Sequence, residues 1–117
     1  MTDIRASYHL HSGFADAACE GLCHQKTLPY LSLVQALDGE YEIRLNDGEV
    51  QRTGTGGFFI APAFVRQTIV HHVGQASGTM TARWLFLDVV LDGKEHLDQR
   101  YAFPAVLTPQ EAPELCA

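Results

Sequence analysis

Apolar and charged residues alternate most regularly in the run Glu40–Leu45. Successive side chains of a β-strand point to opposite faces, so this pattern predicts a strand with one buried and one solvated face. The sequence Asn-Asp-Gly follows at 46–48, and these residue types tolerate the positive φ angles of a tight hairpin. Residues 49–53 are therefore predicted to form the returning strand.

Other apolar runs bounded by turn residues predict further strands. Three glycines crowd residues 54–57 and predict a tight bend, whereas 16–21 has weak helical character and the proline-rich tail from Pro104 is expected to be extended. The spacing of the last two runs suggests a hairpin. Many short strands with regular turns indicate an all-β sandwich or small barrel. The strand runs are Tyr30–Leu37, Phe58–Ile60, Gln67–Val73 and Met80–Leu91.

Length and charge narrow the function classes. The chain has 117 residues, which fits one domain, and its hydrophobic content of 46% is that of an ordinary globular protein. Eight Lys and Arg residues against fourteen Asp and Glu residues give a net charge of −6. Direct contact with nucleic acid is not expected, because phosphate binding needs an excess of basic residues.

The sequence also bears on location and redox state. It has no run of about 20 apolar residues, and its start lacks the basic and apolar regions of a signal peptide, so we expect a cytoplasmic protein without membrane contact. The cysteines are three, Cys19, Cys23 and Cys116. This odd, sparse set favours reduced thiols, with a Cys19–Cys23 bridge as the alternative.

Three segments carry a resemblance to a known family: LSLVQALDGEYEIRLNDGEVQRTGTGGFFIAPAFVRQT at 31–68, TARWLFLDVVLDG at 81–93 and YAFPAVL at 101–107. In them a strand ends in glycine, a hairpin returns, a glycine pair precedes an apolar strand, and a proline turn closes it. This order resembles the N-terminal cupin-like sensor domain of AraC-type transcriptional regulators.

The resemblance implies a single domain over residues 1–117 with the fold of a double-stranded β-helix, or jelly-roll barrel. Residues 1–24 would be an N-terminal arm, irregular or helical in part, and 28–91 the barrel core. The tail 104–117 would lead to a DNA-binding domain that this chain does not contain.

The implied function is sensing and dimerisation for transcription regulation, without enzymatic activity. A small effector, sugar-like or carboxylate-like, would enter the barrel and order the arm Met1–Ser12, which would shift the balance between two arrangements of a homodimer. Leu85, Leu87 and Val89 support dimerisation, because their strand is apolar on both faces and needs cover on both.

Metal-dependent cupins bind their ion with three histidines and a glutamate. In this chain those positions fall on Lys26, Leu28, Ser32 and Gln67, which are poor ligands, so the resemblance implies a pocket without metal or other cofactor. The alternative is a stand-alone cupin enzyme, a sugar isomerase or metal-dependent oxygenase, with metal at His24 and His71. A third possibility is a dimerisation module whose pocket is filled by Phe and Trp side chains.

Five residues are candidates for ligand binding on the strength of their chemistry. Imidazole and amide groups offer hydrogen bonds, and flat aromatic faces offer stacking, although each residue could equally belong to the core. On the strand at 67–73, side chains of alternate residues share a face. If Gln67 faces inward, Ile69 and His71 face inward too, while His72 faces outward. The candidates are His24, Tyr30, Gln67, His71 and Trp84.

Two further groups of residues are weaker candidates, two arginines for an anion and two histidines for a metal ion. Arg66 and Arg83 could bind an anion. However, Arg83 and Trp84 are adjacent on one strand and lie on opposite faces, so only one of them can face the pocket. His9 and His11 would share a strand face and could chelate a metal with a nearby cysteine or histidine, although no motif supports this.

Overall fold

A computed structural model describes residues 4–9, 14–17 and 19–117 of the chain. These residues form an all-β structure of two antiparallel sheets, as predicted. No helix in this part of the chain is long and apolar enough to cross a bilayer. The elements are β1 (Ile4–His9), β2 (Phe14–Ala17), β3 (Leu22–Thr27), β4 (Leu31–Asp38), β5 (Glu40–Leu45), β6 (Gln51–Arg52), β7 (Phe58–Ala61), β8 (Arg66–His72), β9 (Met80–Leu91), β10 (Glu95–His96), α1 (Leu97–Arg100), β11 (Val106–Leu107) and α2 (Pro113–Cys116).

The larger sheet is built around the long strand β9. Its order is β1-β9-β4-β7-β11, and β2 and β10 also pair with β9. The smaller sheet has the order β3-β8-β5-β6. Both β1 and β2 run antiparallel to β9, so the N-terminal residues extend the same edge of the larger sheet.

The chain passes from one sheet to the other at Gly39. This residue follows β4 of the larger sheet and precedes β5 of the smaller one. Its φ of +79° is a conformation that glycine adopts without strain, and a Cβ here would lie 2.3 Å from the carbonyl oxygen of His72. The Asp-Gly sequence thus marks a crossing between layers, and a side chain at this position would clash with the backbone of β8.

Apolar side chains from the two sheets meet in the core. Residues directly opposite each other on paired strands share a face. In the larger sheet Val34 lies opposite both Phe59 and Trp84, and in the smaller sheet Ile43 lies opposite Ile69. Phe59, Ile43 and Ile69 are each 1% exposed. The alternation predicted for Glu40–Leu45 is therefore confirmed, with its apolar face buried.

Two predictions about local structure are wrong. Where the structure describes it, the stretch 16–21 is not helical, and the arm consists mainly of strands: residues 14–17 form β2, residues 20 and 21 form a turn, and β1 and β3 are strands. Pairing with β9 satisfies the backbone of β2 and overrides its weak helical propensity. The predicted hairpin of 67–73 with 80–91 does not form either, because β8 and β9 belong to different sheets.

The C-terminal tail packs back on the larger sheet. β11 pairs with β7, and the side-chain amide of Gln35 donates to the carbonyl oxygen of Cys116 at 3.1 Å. Arg83 Nε donates to the oxygen of the same amide at 2.6 Å, on the face of the sheet that points away from the core. The cysteines at 19, 23 and 116 are free thiols.

Candidate ligand-binding site between the sheets

A cavity of about 430 Å³ lies between the two sheets. Pockets for small molecules span roughly 300–1,000 Å³, so this space is large enough for one organic molecule. Six strands contribute to its wall. The lining residues are His24, Lys26, Val34, Tyr41, Phe59, Ile69, His71, Trp84 and Phe86.

Strand alternation aims the lining side chains inward. On β3 the exposed His24 and the half-buried Lys26 line the cavity, while their neighbours Cys23 and Gln25 do not line it. On β9, Arg83 is exposed whereas the residues at 84 and 86 line the cavity. A one-residue slip of either strand would replace these inward groups by outward ones. The register therefore fixes the chemistry of the cavity.

His71 is the polar residue most enclosed by the wall. It is 8% exposed, the ring of Tyr41 meets it edge-on at 4.9 Å between centroids, and the ring of His24 lies 5.1 Å away. Neither ring nitrogen of His71 has a hydrogen-bond partner within the described residues. Because buried polar groups in proteins are nearly always hydrogen-bonded, this ring is poised to bind something else.

The environment keeps both cavity histidines neutral. Burial, followed by the charges of His24 and Lys26, lowers the pKa of His71. Burial, followed by the charge of Lys26, lowers the pKa of His24. A neutral imidazole has one donor and one acceptor, so each ring can offer both kinds of hydrogen bond. Burial also raises the pKa of Tyr41 to about 12, which keeps its hydroxyl protonated.

Lys26 brings a positive charge to the rim. Its register partner is Gln67, and its ammonium lies 5.7 Å from the ring centre of Phe86 in the facing sheet. Burial lowers the pKa of Lys26, and no carboxylate lines the cavity. Over the described residues the ammonium has this aromatic contact and no ion pair.

Two more polar side chains without a partner among the described residues lie on the inner faces of β8 and β4. Gln67 is fully buried, and neither its amide nitrogen nor its amide oxygen has a partner within the described residues. Ser32 is fully buried as well, and its hydroxyl has no hydrogen-bond partner within the described residues. Its register partner on β9 is Phe86. Neither residue is part of the cavity wall itself.

The structure brings together most of the residues singled out in the sequence. His24, His71 and Trp84 line the cavity, and Gln67 is buried on the same face of β8 as His71. Tyr30 lies behind the wall, with its ring stacked on that of Phe86 at 6.2 Å. Their role in binding stays a prediction.

The other candidates lie elsewhere. The guanidinium of Arg66 pairs with Asp47 at 2.7 Å on the surface. Alternation predicted that only one of Arg83 and Trp84 would face the pocket, and Arg83 is the one that faces away. Among the described residues, no group of three or more His, Cys, Asp or Glu side chains is arranged to hold a metal ion. The chelate suggested for His9 and His11 involves side chains outside the described part of the chain.

Sequence reasoning missed several functional groups in the wall. From the sequence, Lys26 is only a poor ligand at a position where metal-dependent cupins bind their ion, and Tyr41 and Phe86 are only members of predicted strands. The signal that could have found Lys26 is the alternation within LCHQKT at 22–27, where the residues at 24 and 26 share a face. His, Gln and Lys do not favour strands, so the sequence does not predict β3, which lies at the edge of the smaller sheet.

A second pocket, the surface groove, differs in chemistry from the cavity. It measures about 540 Å³ and is lined in part by Glu20, Glu40, Arg52 and His72. His72 contacts Glu20 through Nδ1 and Glu42 through Nε2, both at 2.9 Å, and Arg52 pairs with Glu40 at 2.6 Å. These groups satisfy one another, so they offer little to a ligand.

Comparison with known proteins adds no family or relative. No protein-family model matches the chain, and no curated protein matches it significantly.

Proposed function

We propose that the cavity binds a small organic molecule and that the chain is a sensor and dimerisation domain similar to those of AraC-type regulators. The single observation that carries this proposal is the buried ring of His71, which faces the cavity with both nitrogens unpaired. A buried polar group without a partner costs about 1–3 kcal/mol, and a bound molecule that hydrogen-bonds to it recovers part of that cost. An open, unpaired imidazole is thus better explained as a binding group than as a core residue.

The proposed architecture is a cupin-like double-stranded β-helix. Two facing antiparallel sheets support it, and so does the burial of Ser32 and Gln67 at two of the positions where metal-dependent cupins have their ligands. At those positions this chain carries an alcohol and an amide, and Lys26 occupies a third. An ammonium repels a cation, so these residues favour recognition of an organic molecule by hydrogen bonds.

Binding would be transmitted through β9. The strand carries Trp84 and Phe86 in the cavity wall, and along one edge it pairs with β1 and β2. A molecule that fixes these aromatic side chains would also bias the N-terminal strands that pair beside them. A preference of about tenfold for one arrangement shifts the equilibrium by about 1.4 kcal/mol.

Dimerisation is part of the same proposal. Leu85, Leu87 and Val89 alternate with the cavity-lining residues of β9, and all three remain partly exposed in the single chain. A second copy would cover this apolar face. Sedimentation at micromolar concentration is expected to show a dimer, and a monomer at every concentration would count against it.

The binding proposal is tested by thermal denaturation with a panel of sugars, carboxylic acids and neutral aromatic compounds. A ligand at about 100 times its Kd stabilises the folded state by about 2.7 kcal/mol, which is a rise of several degrees in Tm. We expect at least one compound to raise Tm for the wild type and for His72→Phe but not for His71→Phe. The two variants change adjacent residues of β8 that face opposite ways.

Two results would contradict the proposal. One is a panel in which no compound changes the Tm of the wild type. The other is an equal rise in Tm for the His71→Phe variant, which would show that His71 takes no part in binding. Metal analysis of the purified protein addresses the enzyme alternative, because a stoichiometric metal ion lost in the same variant would support that alternative.

A further inference from the structure

The charge of the cavity is opposite to that of the whole chain. The chain has a net charge of −6, yet the cavity wall carries the positive charge of Lys26, two neutral histidines and no Asp or Glu. Local charges in a partly desolvated pocket act more strongly than distant surface charges, which salt screens. The cavity therefore favours anions over cations, although the protein as a whole is acidic.

Lys26 lacks the partner that a half-buried ammonium needs. Its contact with the ring of Phe86 at 5.7 Å is a cation–π interaction, which does not use the directional N–H donors. A group that accepts hydrogen bonds and carries negative charge would pair with it in full. A carboxylate does both.

Two further buried polar residues lie outside the cavity wall but next to its lining residues in the strand register. Gln67 lies directly opposite Lys26 on the neighbouring strand, and Ser32 lies opposite Phe86 on the facing sheet. The amide and the hydroxyl are both buried and unpaired within the described residues. A carboxylate accepts about four hydrogen bonds, so it can use several donors at once, whereas a sugar also needs strong acceptors for its hydroxyls. The wall offers no carboxylate for that purpose.

The remainder of the wall suits a flat apolar body. It consists largely of aromatic rings, those of Tyr41, Phe59, Trp84 and Phe86, with Val34 and Ile69 beside them. Aromatic rings stack or meet edge-on with gains beyond simple burial. The neutral ring of His71 then offers one donor and one acceptor to a polar substituent of that body.

We propose that the ligand of this cavity is an aromatic carboxylic acid, with its carboxylate on Lys26 and its ring against Trp84 and Phe86. This inference rests on the proposed function and selects the acid from the sugar-like and carboxylate-like ligands considered above. Lys26 is the positioning charge, and Gln67 and Ser32 are the register partners of Lys26 and Phe86 behind the wall. The aromatic wall sets the preference for a planar ligand.

Calorimetric titration with matched pairs of probes tests the inference. The probes are indole-3-acetate and 4-hydroxyphenylacetate, each compared with its neutral amide, which keeps the shape and removes the charge. For the wild type we expect at least one acid to bind about tenfold or more tightly than its amide, because one charge-assisted hydrogen bond replaces a neutral one. The protein is used as the full chain.

Variants of the two lysines provide the control. Lys26→Met is expected to weaken binding of the acid about tenfold or more and to leave binding of the amide within about threefold. Lys26→Arg keeps the charge and is expected to retain most of the affinity. Lys94 is the other lysine of the chain and is exposed in a turn, so Lys94→Met should bind as the wild type does. Thermal denaturation of each variant confirms that it is folded.

The outcomes separate this inference from the proposed function. An amide that binds as tightly as its acid, or a sugar that binds where the acids do not, overturns the inference and leaves a binding cavity. Acid binding that Lys26→Met does not weaken also overturns it. If neither the acids nor any compound of the larger panel binds, both proposals fail.

Discussion

The cavity between the sheets and the surface groove differ in how their polar groups are satisfied. The groove is the larger, at about 540 Å³ against about 430 Å³. In the groove His72 lies between two carboxylates and Arg52 pairs with Glu40. In the cavity His71 and Lys26 have aromatic neighbours but no hydrogen-bond or ion-pair partner within the described residues.

The larger pocket is thus the one whose polar side chains already have partners, so pocket volume alone does not indicate which polar groups are available to a ligand. His71 and His72 are adjacent in the chain and differ only in the face of β8 on which they lie. One ring is enclosed and unpaired, and the other is held at 2.9 Å by Glu20 and by Glu42. A buried imidazole without a hydrogen-bond partner destabilises the fold, and a ligand that bonds to it can offset that destabilisation.

The largest expected effect comes from removing an aromatic part of the cavity wall. Phe59 is 1% exposed and its ring meets that of Tyr41 at 5.2 Å, so Phe59→Ala should destabilise the fold by about 3–5 kcal/mol. The groove-lining Thr55 donates to the carbonyl oxygen of Gly39 at 2.9 Å, and Thr55→Ala should cost only about 1 kcal/mol. Urea denaturation measures both. Equal losses would show that the cavity wall is not part of the core.

A pair of buried glutamines sharpens the contrast between unpaired and paired polar groups. Gln67, on the inner face, has no partner in the described structure, so Gln67→Leu should raise the free energy of unfolding by about 1–2 kcal/mol. Gln35, on the outer face, accepts from Arg83 and donates to Gly56 and Cys116. Gln35→Leu should therefore lower the free energy of unfolding by about 1–3 kcal/mol.

Chemical denaturation of the two leucine variants measures these opposite signs. Both side chains are amides of one type, and both are at most 1% exposed, so each variant is the control for the other. Destabilisation of similar size in both would mean that Gln67 is as well satisfied as Gln35. The distinction between the two faces would then lose its physical basis.

The sequence predicted individual strands better than their partners. Alternation placed His71 inward and His72 outward correctly, because the period of two is a local property of a strand. The hairpin of β8 with β9 was wrong because these two consecutive strands belong to different sheets, as do β4 and β5 on either side of Gly39. Lys26 was missed as a cavity group, because its strand has few strand-favouring residues and forms through pairing with β8.

The smallest expected effect is a difference in pH dependence between the adjacent histidines. Burial opposes protonation of His72, but its hydrogen bonds to Glu20 and Glu42 outweigh burial and raise its pKa. The stabilisation by this residue is then fully present below about pH 6.5 and is lost as pH rises through the raised pKa. His72→Ala should therefore cost more at about pH 5.5 than at about pH 8.5, by at most about 1 kcal/mol.

His71 should show the opposite sign. Burial first, then His24 and Lys26, lowers its pKa, so its contribution is present above about pH 6.5 and is lost as pH falls toward the lowered pKa. Denaturation of His71→Phe at both pH values should show a smaller loss of stability in acid than the wild type does. Parallel pH profiles for the two variants would contradict the assignment of the two environments.

The most direct test of the central claim follows the ring nitrogens of the histidines by ¹⁵N NMR during titration with a compound that raises Tm. The cavity account predicts that the two nitrogens of His71 shift on binding, because neither has a protein hydrogen-bond partner among the described residues and the bound compound would supply one. The nitrogens of His72, which already contact two carboxylates, should stay unchanged. Shifts at His72 with none at His71 would contradict the account.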